Sequence, residues 1–303
     1  MSQRHQDLLA RLTLLRISKP GDIGMGQMVR RLTPVGVIAA LRSGDNLDAF
    51  RPFGGLSAEW AQTCLQWRSG LAKSNPEADL DAGHKLGADP VMPGDPDWPS
   101  QMNDLGVAAP HALWLRGEAN IPQAFSRSIA IVGTRTATSH GVQVAFAFAS
   151  HLGGTGWNTI SGGARGVDYS AHRGALAADA PTIAVLASGV DITYPADHKR
   201  LFQAIMAHGA LVSESPIGVR PARHRLLARN RIVAASRATV VVEADLRSGT
   251  MNTARHAHDL GRILTAVPGP VTSEQSRGCH RLMNRGRARC VSTPKDLLDL
   301  LQP

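Results

Sequence analysis

Short runs of consecutive apolar residues, each stopped by a turn rich in glycine or serine, recur along the last two thirds of the chain. Ser128–Val132 runs into Gly133-Thr134-Arg135, and Trp157–Ser161 runs into Gly162-Gly163-Ala164-Arg165-Gly166. Between them, Val142–Leu152 carries small and apolar residues at helical spacing and no proline. A strand, helix, strand unit of this kind requires a crossover and hence a parallel strand pair. The alternation continues with strands at Pro181–Leu186, Gly209–Val212, Ala238–Val242 and Arg262–Val267, and a helix over Asp197–Ala207. Their β-branched, unbroken apolar character suits strands covered on both faces. Ala112–Gly117 predicts one more strand ahead of the first unit. The expected fold class is α/β, an extended Rossmann-like, doubly wound, mainly parallel sheet.

The first 72 residues show helical rather than strand spacing. Leu8, Leu9, Leu12, Leu14 and Leu15 form an apolar stripe ended by Pro20-Gly21, and a turn over Gly21–Gly26 leads into a second helix from Gln27. Residues 1–72 are expected to be a small helical domain of SAM-like or helix-hairpin-helix-like type. Glycine turns of that type place backbone N–H groups on phosphates; a plain packing module needs the same glycines for a tight turn. Residues 73–99, rich in Pro, Gly, Asp and Asn, are expected to be linker and irregular wrap. Residues 100–303 form the sheet domain, and no C-terminal winged helix is expected after it.

Composition narrows the function. Of 303 residues 43% are hydrophobic, a globular balance, and only 4% are aromatic, so stacking platforms are scarce. The three cysteines lack metal-ligand spacing, the N-terminus has no apolar leader, and no run approaches a membrane span, which together suggest a reduced cytoplasmic protein without a metal. The net charge of +9 is unevenly placed: residues 1–210 carry 18 Lys and Arg against 17 Asp and Glu, residues 211–303 carry 15 against 7. A basic excess confined to one third of the chain points to a polyanionic partner.

In a parallel sheet the loops after the strands share one edge, so Arg135 and Arg165 are expected to face one crevice. Gly133, Gly163, Ser248, Gly249 and Thr250 join them, since such turns admit a close phosphate and present helix N-termini. The densest basic stretch, Arg220 to Arg231, adds Arg220, Arg223, Arg229, Asn230 and Arg231 and is read as a long clamp loop; Leu226 and Leu227 within it pack inward or meet bases. No Gly-x-x-x-x-Gly-Lys-Ser/Thr and no Gly-x-Gly-x-x-Gly occurs, which disfavours a P-loop ATPase and a dinucleotide cofactor. The acids at the same edge have plain roles available: Asp168 as a helix cap, Glu214 and Glu243 as bases or as partners of Arg229 and Arg231.

These motifs, in this order, resemble the DNA-processing protein A family, also called DprA or Smf. The residues that carry the resemblance are Gly94–Pro99, Gly133–Arg135, Ser161–Asp168, Ala171-His172, Asp191–Pro195, Arg229–Ile232, Val242–Ala244, Ser248–Thr250 and Val267–Gly269. The resemblance implies a non-enzymatic, homodimeric protein of DNA uptake and natural transformation that protects incoming single-stranded DNA and loads the RecA recombinase. It makes Arg135, Gly163, Arg165, Arg229, Asn230, Ser248 and Gly249 the pocket residues, with no cofactor. The chain departs from the family pattern where Leu226-Leu227 replace a Phe-Pro, His198 replaces an Asn, and Cys279, His280 and Arg287 enter near the end. The apolar residues Leu282, Met283, Val291, Leu297, Leu298, Leu300 and Leu301 suggest a dimer surface. The alternative is a nucleotide-binding sensor or phosphoribohydrolase of the LOG-like kind; those enzymes carry a glutamate where Thr253 stands.

Overall fold

The computed structural model describes residues 2–44, 47 and 57–302. Nine strands make one sheet: β1 (Asp89–Val91), β2 (Leu113–Gly117), β3 (Ser128–Val132), β4 (Asn158–Ser161), β5 (Thr182–Leu186), β6 (Ala210–Ser213), β7 (Ala238–Val241), β8 (Ile263–Ala266) and β9 (Arg289–Cys290). Their spatial order is β1-β2-β6-β5-β4-β3-β7-β8-β9. The pairs β1–β2 and β2–β6 are antiparallel and all the others are parallel. The doubly wound, mainly parallel sheet expected from the apolar runs is therefore present. The chain steps from β3 outward through β4, β5 and β6, then returns to the other side of β3 as β7. Loops diverge there, and that reversal is where open α/β sheets make a crevice.

Helices α1 (Gln3–Ile17), α2 (Ile23–Ser43), α3 (Ser57–Leu71), α4 (Pro76–Lys85) and α5 (Ile121–Ser126) precede β3. Helices α6 (Ser139–Gly154), α7 (Val167–Ala177), α8 (Lys199–His208), α9 (Arg223–Ala234) and α10 (Thr250–Asp259) connect the parallel strands, and α11 (Arg277–Asn284) and α12 (Pro294–Leu301) follow β8. Packed on the sheet, α6 and α7 bury Phe148, Leu152 and Ala171 against Ile129, Ile131 and Val240.

Several expectations need correction. Residues 73–99 are not merely linker: Pro76–Lys85 is a helix capped by Asn75, and Asp89–Val91 is the outer sheet strand. A proline at a helix start removes no needed N–H, and Pro90 sits on an edge strand, so the Pro-rich look of the segment misled. The turn read over Gly21–Gly26 stops at Asp22, whose side chain caps α2, and Gly24 and Gly26 lie inside that helix. The single stripe on α1 is two. Leu8, Leu12 and Leu15 pack on the sheet beside Trp114, Leu186 and Phe202, while Ala10 and Leu14 pack with Met25, Leu41, Trp60 and Trp67. At 3.6 residues per turn these sets lie on opposite faces. Three arginines fasten α1 further: Arg4 to Asp95, Arg11 to the His111 carbonyl, and Arg16 to Asp79 and the Ile217 carbonyl.

The residues expected to form a dimer surface are largely spent internally. Leu282, Val291, Leu297 and Leu301 are buried in the chain's own cores, and Met283, Leu298 and Leu300 pack against them. Among the described residues no helix is long and apolar enough to cross a membrane, and no group of His, Cys, Asp and Glu could hold a metal ion.

At Gly26 a Cβ would overlap the Val107 carbonyl, and at Gly24 it would press on the Trp60 ring. These glycines let α2 lie directly on its neighbours. Gly26→Ala is expected to destabilise the protein by about 1–3 kcal/mol through overpacking. Urea unfolding checks this, and an unchanged midpoint would show that close packing does not explain the residue.

Candidate functional site

Beyond the carboxyl ends of β3, β4 and β7 lies an open crevice of about 750 Å³. Gly133, Thr134 and Arg135 form one wall, Gly162, Ala164 and Asp168 the base, and Arg223, Leu226, Leu227, Arg229 and Asn230 the opposite wall. Arg247, Ser248, Gly249 and Thr250 close one end. A smaller recess of about 180 Å³ joins Arg135 and Arg165 with Tyr194, Pro195, Leu186 and Leu226. Arg135, Arg165, Arg223 and Arg247 are all exposed, so the rim is strongly positive.

The base is built on a buried cation. Arg229 is only 7% exposed. Its guanidinium donates to the Gly162 carbonyl at 2.7 Å and to the Val185 carbonyl, joining the end of β4 to β5. Asp168, also buried, accepts from the Gly162 and Ala164 N–H groups at 3.2 and 3.3 Å. Burial lowers the Arg229 pKa to about 10 against the opposing pull of Asp168, and burial raises that of Asp168 against the pull of Arg229. The loop is thus gripped through its carbonyl by a cation and through its N–H groups by an anion. A side chain at 162 would strike the Arg229 guanidinium, which is why glycine stands there.

Not all helix N-termini at this edge are open. Glu243 accepts from the Thr138 N–H at 3.0 Å and from the Thr138 hydroxyl at 2.5 Å, while that hydroxyl caps Gly141. A carboxylate therefore already occupies the start of α6, as Asp168 does near the start of α7. By contrast α9 and α10 begin at Ala222 and Gly249 without a side-chain cap. Both starts border the crevice, with Arg223 on one and Arg247 preceding the other. Asn230, two turns into α9, donates to the Gly249 carbonyl at 3.2 Å.

The structure brings together Gly133, Arg135, Arg223, Arg229, Asn230, Ser248, Gly249 and Thr250, with Arg165 at the adjoining recess. Three of the sequence candidates need correction. Gly163 is buried with φ +68 against the Phe202 ring and faces away from the crevice. Arg231 is 3% exposed and pairs with buried Glu214 at 2.7 Å while donating to the Ala108 carbonyl. Arg220 is exposed but lines neither cavity. The stretch read as a clamp loop is helical from Arg223, so its arginines alternate between rim and interior. Arg165 is exposed and engaged by Asp197 at 3.1 Å. Asp168 bonds the preceding loop rather than capping α7, whose cap is Gly166. The pairing expected for Glu214 holds, while Glu243 takes Thr138 instead of an arginine. Sequence reasoning missed Arg247, one residue before a turn it did find, and Tyr194, a residue 44% exposed that lines the recess and supplies an aromatic face.

The family model of DNA recombination-mediator protein A matches residues 89–302. A Mycobacterium tuberculosis protein named as a DNA processing protein, DprA, is 40% identical over 301 residues, covering 95% of this chain and 73% of its own length. Among solved structures, DNA processing protein A from Streptococcus pneumoniae superposes with a TM-score of 0.74 at 26% identity, covering 97% of both chains. DNA processing protein A from Helicobacter pylori, whose structure describes a single-stranded DNA binding mode, gives a TM-score of 0.64 at 28% identity, covering 71% of this chain and 96% of that one.

Two predictions follow from the buried charges. Arg231→Met removes the direct partner of buried Glu214, leaving only the half-buried Arg225 near it, and is expected to cost about 3 kcal/mol, whereas Arg231→Met with Glu214→Leu should cost clearly less. Urea titrations of the single and double variants measure the difference; equal losses would contradict it. Burial lowers the pKa of His172 and of His111 to about 3, with His198 and Arg229 acting in the same direction on the first and Arg11 and Arg231 on the second. In the unfolded chain these imidazoles take up protons near pH ~6.5, in the folded chain only near 3, so acidification across that window favours unfolding. Stability should fall from about pH 7 to about pH 4.5, and His172→Gln should lose less over the same interval. Parallel losses in the two proteins would remove His172 as a source.

Proposed function

Because the chain belongs to the DNA recombination-mediator protein A family, we propose that it binds single-stranded DNA in the crevice, mainly through backbone phosphates. One arrangement carries the reading: the uncapped starts of α9 and α10 both border the crevice, which Arg135, Arg223 and Arg247 also line. Backbone N–H groups and guanidinium forks there suit phosphate oxygens of any sequence. Tyr194, Leu226 and Leu227 offer apolar faces for bases, and Arg165 extends the positive rim. Sequence preference is weak on this reading, and a stiff duplex is expected to bind less well than a flexible single strand. The relative from Helicobacter pylori, described with a single-stranded DNA binding mode, supports the same ligand class.

The finer reading is that the protein acts in the cytoplasm as a homodimer, protects single strands taken up during transformation and passes them to the RecA recombinase; family membership supports it. The proposed role is binding without catalysis. Supporting this, the acids at the edge are engaged in holding loops: Glu243 by Thr138, Glu214 by Arg231, Asp168 by the Gly162 loop and Asp191 by the Gly218 N–H. Thr253, at the position of the phosphoribohydrolase glutamate, is buried and carries no carboxylate. The N-terminal helices serve as a packing module in this view, since Gly24 and Gly26 are taken up by Trp60 and Val107.

Fluorescence anisotropy of a labelled oligonucleotide across several salt concentrations tests the reading. Arg135→Ala and Arg247→Ala should each weaken binding to all sequences alike and reduce the steepness of log K against log salt by ~0.7. Arg220→Ala should change neither quantity. Wild-type affinity and slope in both of the first two variants, with circular dichroism intact, would remove the crevice from the DNA path.

A further inference from the structure

We propose that the outer face of α11 and the β9 edge form a second phosphate-binding surface, which takes up a single strand as it leaves the crevice. This rests on the single-strand reading of the crevice and extends it. Arg277 and Arg281 on α11 and Arg285 at its C-cap follow one another at four-residue spacing and so line one side of the helix, while Gly278, Cys279 and Leu282 are buried. Past the turn at Gly286, Arg287 and Arg289 flank buried Ala288, and both are exposed. Arg277 is engaged by Glu274 at 3.2 Å. The remaining four arginines are all exposed, and no ion pair to any of them is found among the described residues.

Arginines this close repel one another and gain nothing from the fold by their proximity. The arrangement is one that an extended polyanion relieves, and at 1.5 Å per residue a four-residue step places guanidinium groups about 6 Å apart along the helix. The surface is also continuous with the crevice. Gln275, two residues before α11, donates to the Thr136 hydroxyl at 3.4 Å, and Thr136 lines the recess beside Arg135. The Gly278 N–H donates to the Ala244 carbonyl at 2.7 Å, which pins the start of α11 to the loop after β7. The arginines then lead down the helix toward the opposite end of the sheet, because β9 runs parallel to β8 and Arg285 and Arg287 precede it. Between the rim at Arg135 and this stripe stands exposed Glu274, which Arg277 pairs at 3.2 Å, and α11 itself carries no acidic residue.

The test compares two oligonucleotides, one of about 4 nucleotides that fits the crevice and one of about 16 that extends past it. The variant carries Arg281→Gln, Arg285→Gln, Arg287→Gln and Arg289→Gln together. Binding of the longer strand is expected to weaken by about tenfold or more at low salt, with its salt slope reduced by up to ~2.8, four contacts at ~0.7 each. Binding of the shorter strand should be unchanged, which also reports an intact fold and crevice. Unchanged affinity and slope for the longer strand overturn the proposal and leave the crevice reading standing. An equal loss on both lengths overturns it too, as does a change of oligomeric state in light scattering with no length-dependent loss, which would make this face a contact between copies. Wild-type protein that binds neither strand ends the single-strand reading and this proposal with it.

Discussion

A guanidinium buried beneath a loop is the constraint on which the crevice depends. Arg229 reaches from α9 under the sheet edge and holds the carbonyls at the ends of β4 and β5. A buried charge is tolerated only with compensation, and Asp168 supplies it from the start of α7. The two charges fix the Gly162–Ala164 loop from opposite sides, so the strand ends, the loop and α9 share one geometry. The glycine at 162, the acid at 168 and the arginine at 229 are three consequences of that one arrangement.

Polarity at this edge is sorted by depth. The carboxylates of Asp168 and Glu243 lie buried at the starts of α7 and α6, where they balance the helix dipoles and the internal arginine. The exposed layer, formed by Arg135, Arg165, Arg223 and Arg247 with the bare starts of α9 and α10, is positive. Helix termini that look alike in sequence therefore differ: two are saturated by the protein and two are not.

The sheet was legible because buried parallel strands leave unbroken apolar runs: of the six strands from β3 to β8, β3 and β7 begin at the residue read for them and the other four begin one residue later. The crevice was legible because strand-to-helix loops must share an edge. What escaped notice had weak local signals. β1 and β9 have three and two residues, and α4 hides behind a proline that suits its first turn. Arg229 and Arg231 look like neighbouring Arg223 in sequence; only the helical turn of α9 and the buried acids Asp168 and Glu214 send the former two inward. Of the apolar residues read as a dimer surface, Leu282, Val291, Leu297 and Leu301 are buried for a related reason, since α12 and the segment before it fold back on the sheet's own core.

Helix α1 takes part in two apolar cores at once, one on the sheet and one among α2 and α3. A helix shared in this way cannot melt from one core and remain in the other, so the stabilities of the two regions are coupled through its fifteen residues. Loosening the small helical layer withdraws Leu8, Leu12 and Leu15 from beside Trp114, and disturbing the sheet edge is felt at Trp60 and Trp67. Hydrogen exchange in the two layers would then share a single slowest opening rather than two. The N-terminal helices thereby behave as part of the foundation of the sheet and not as an appendage hung from it.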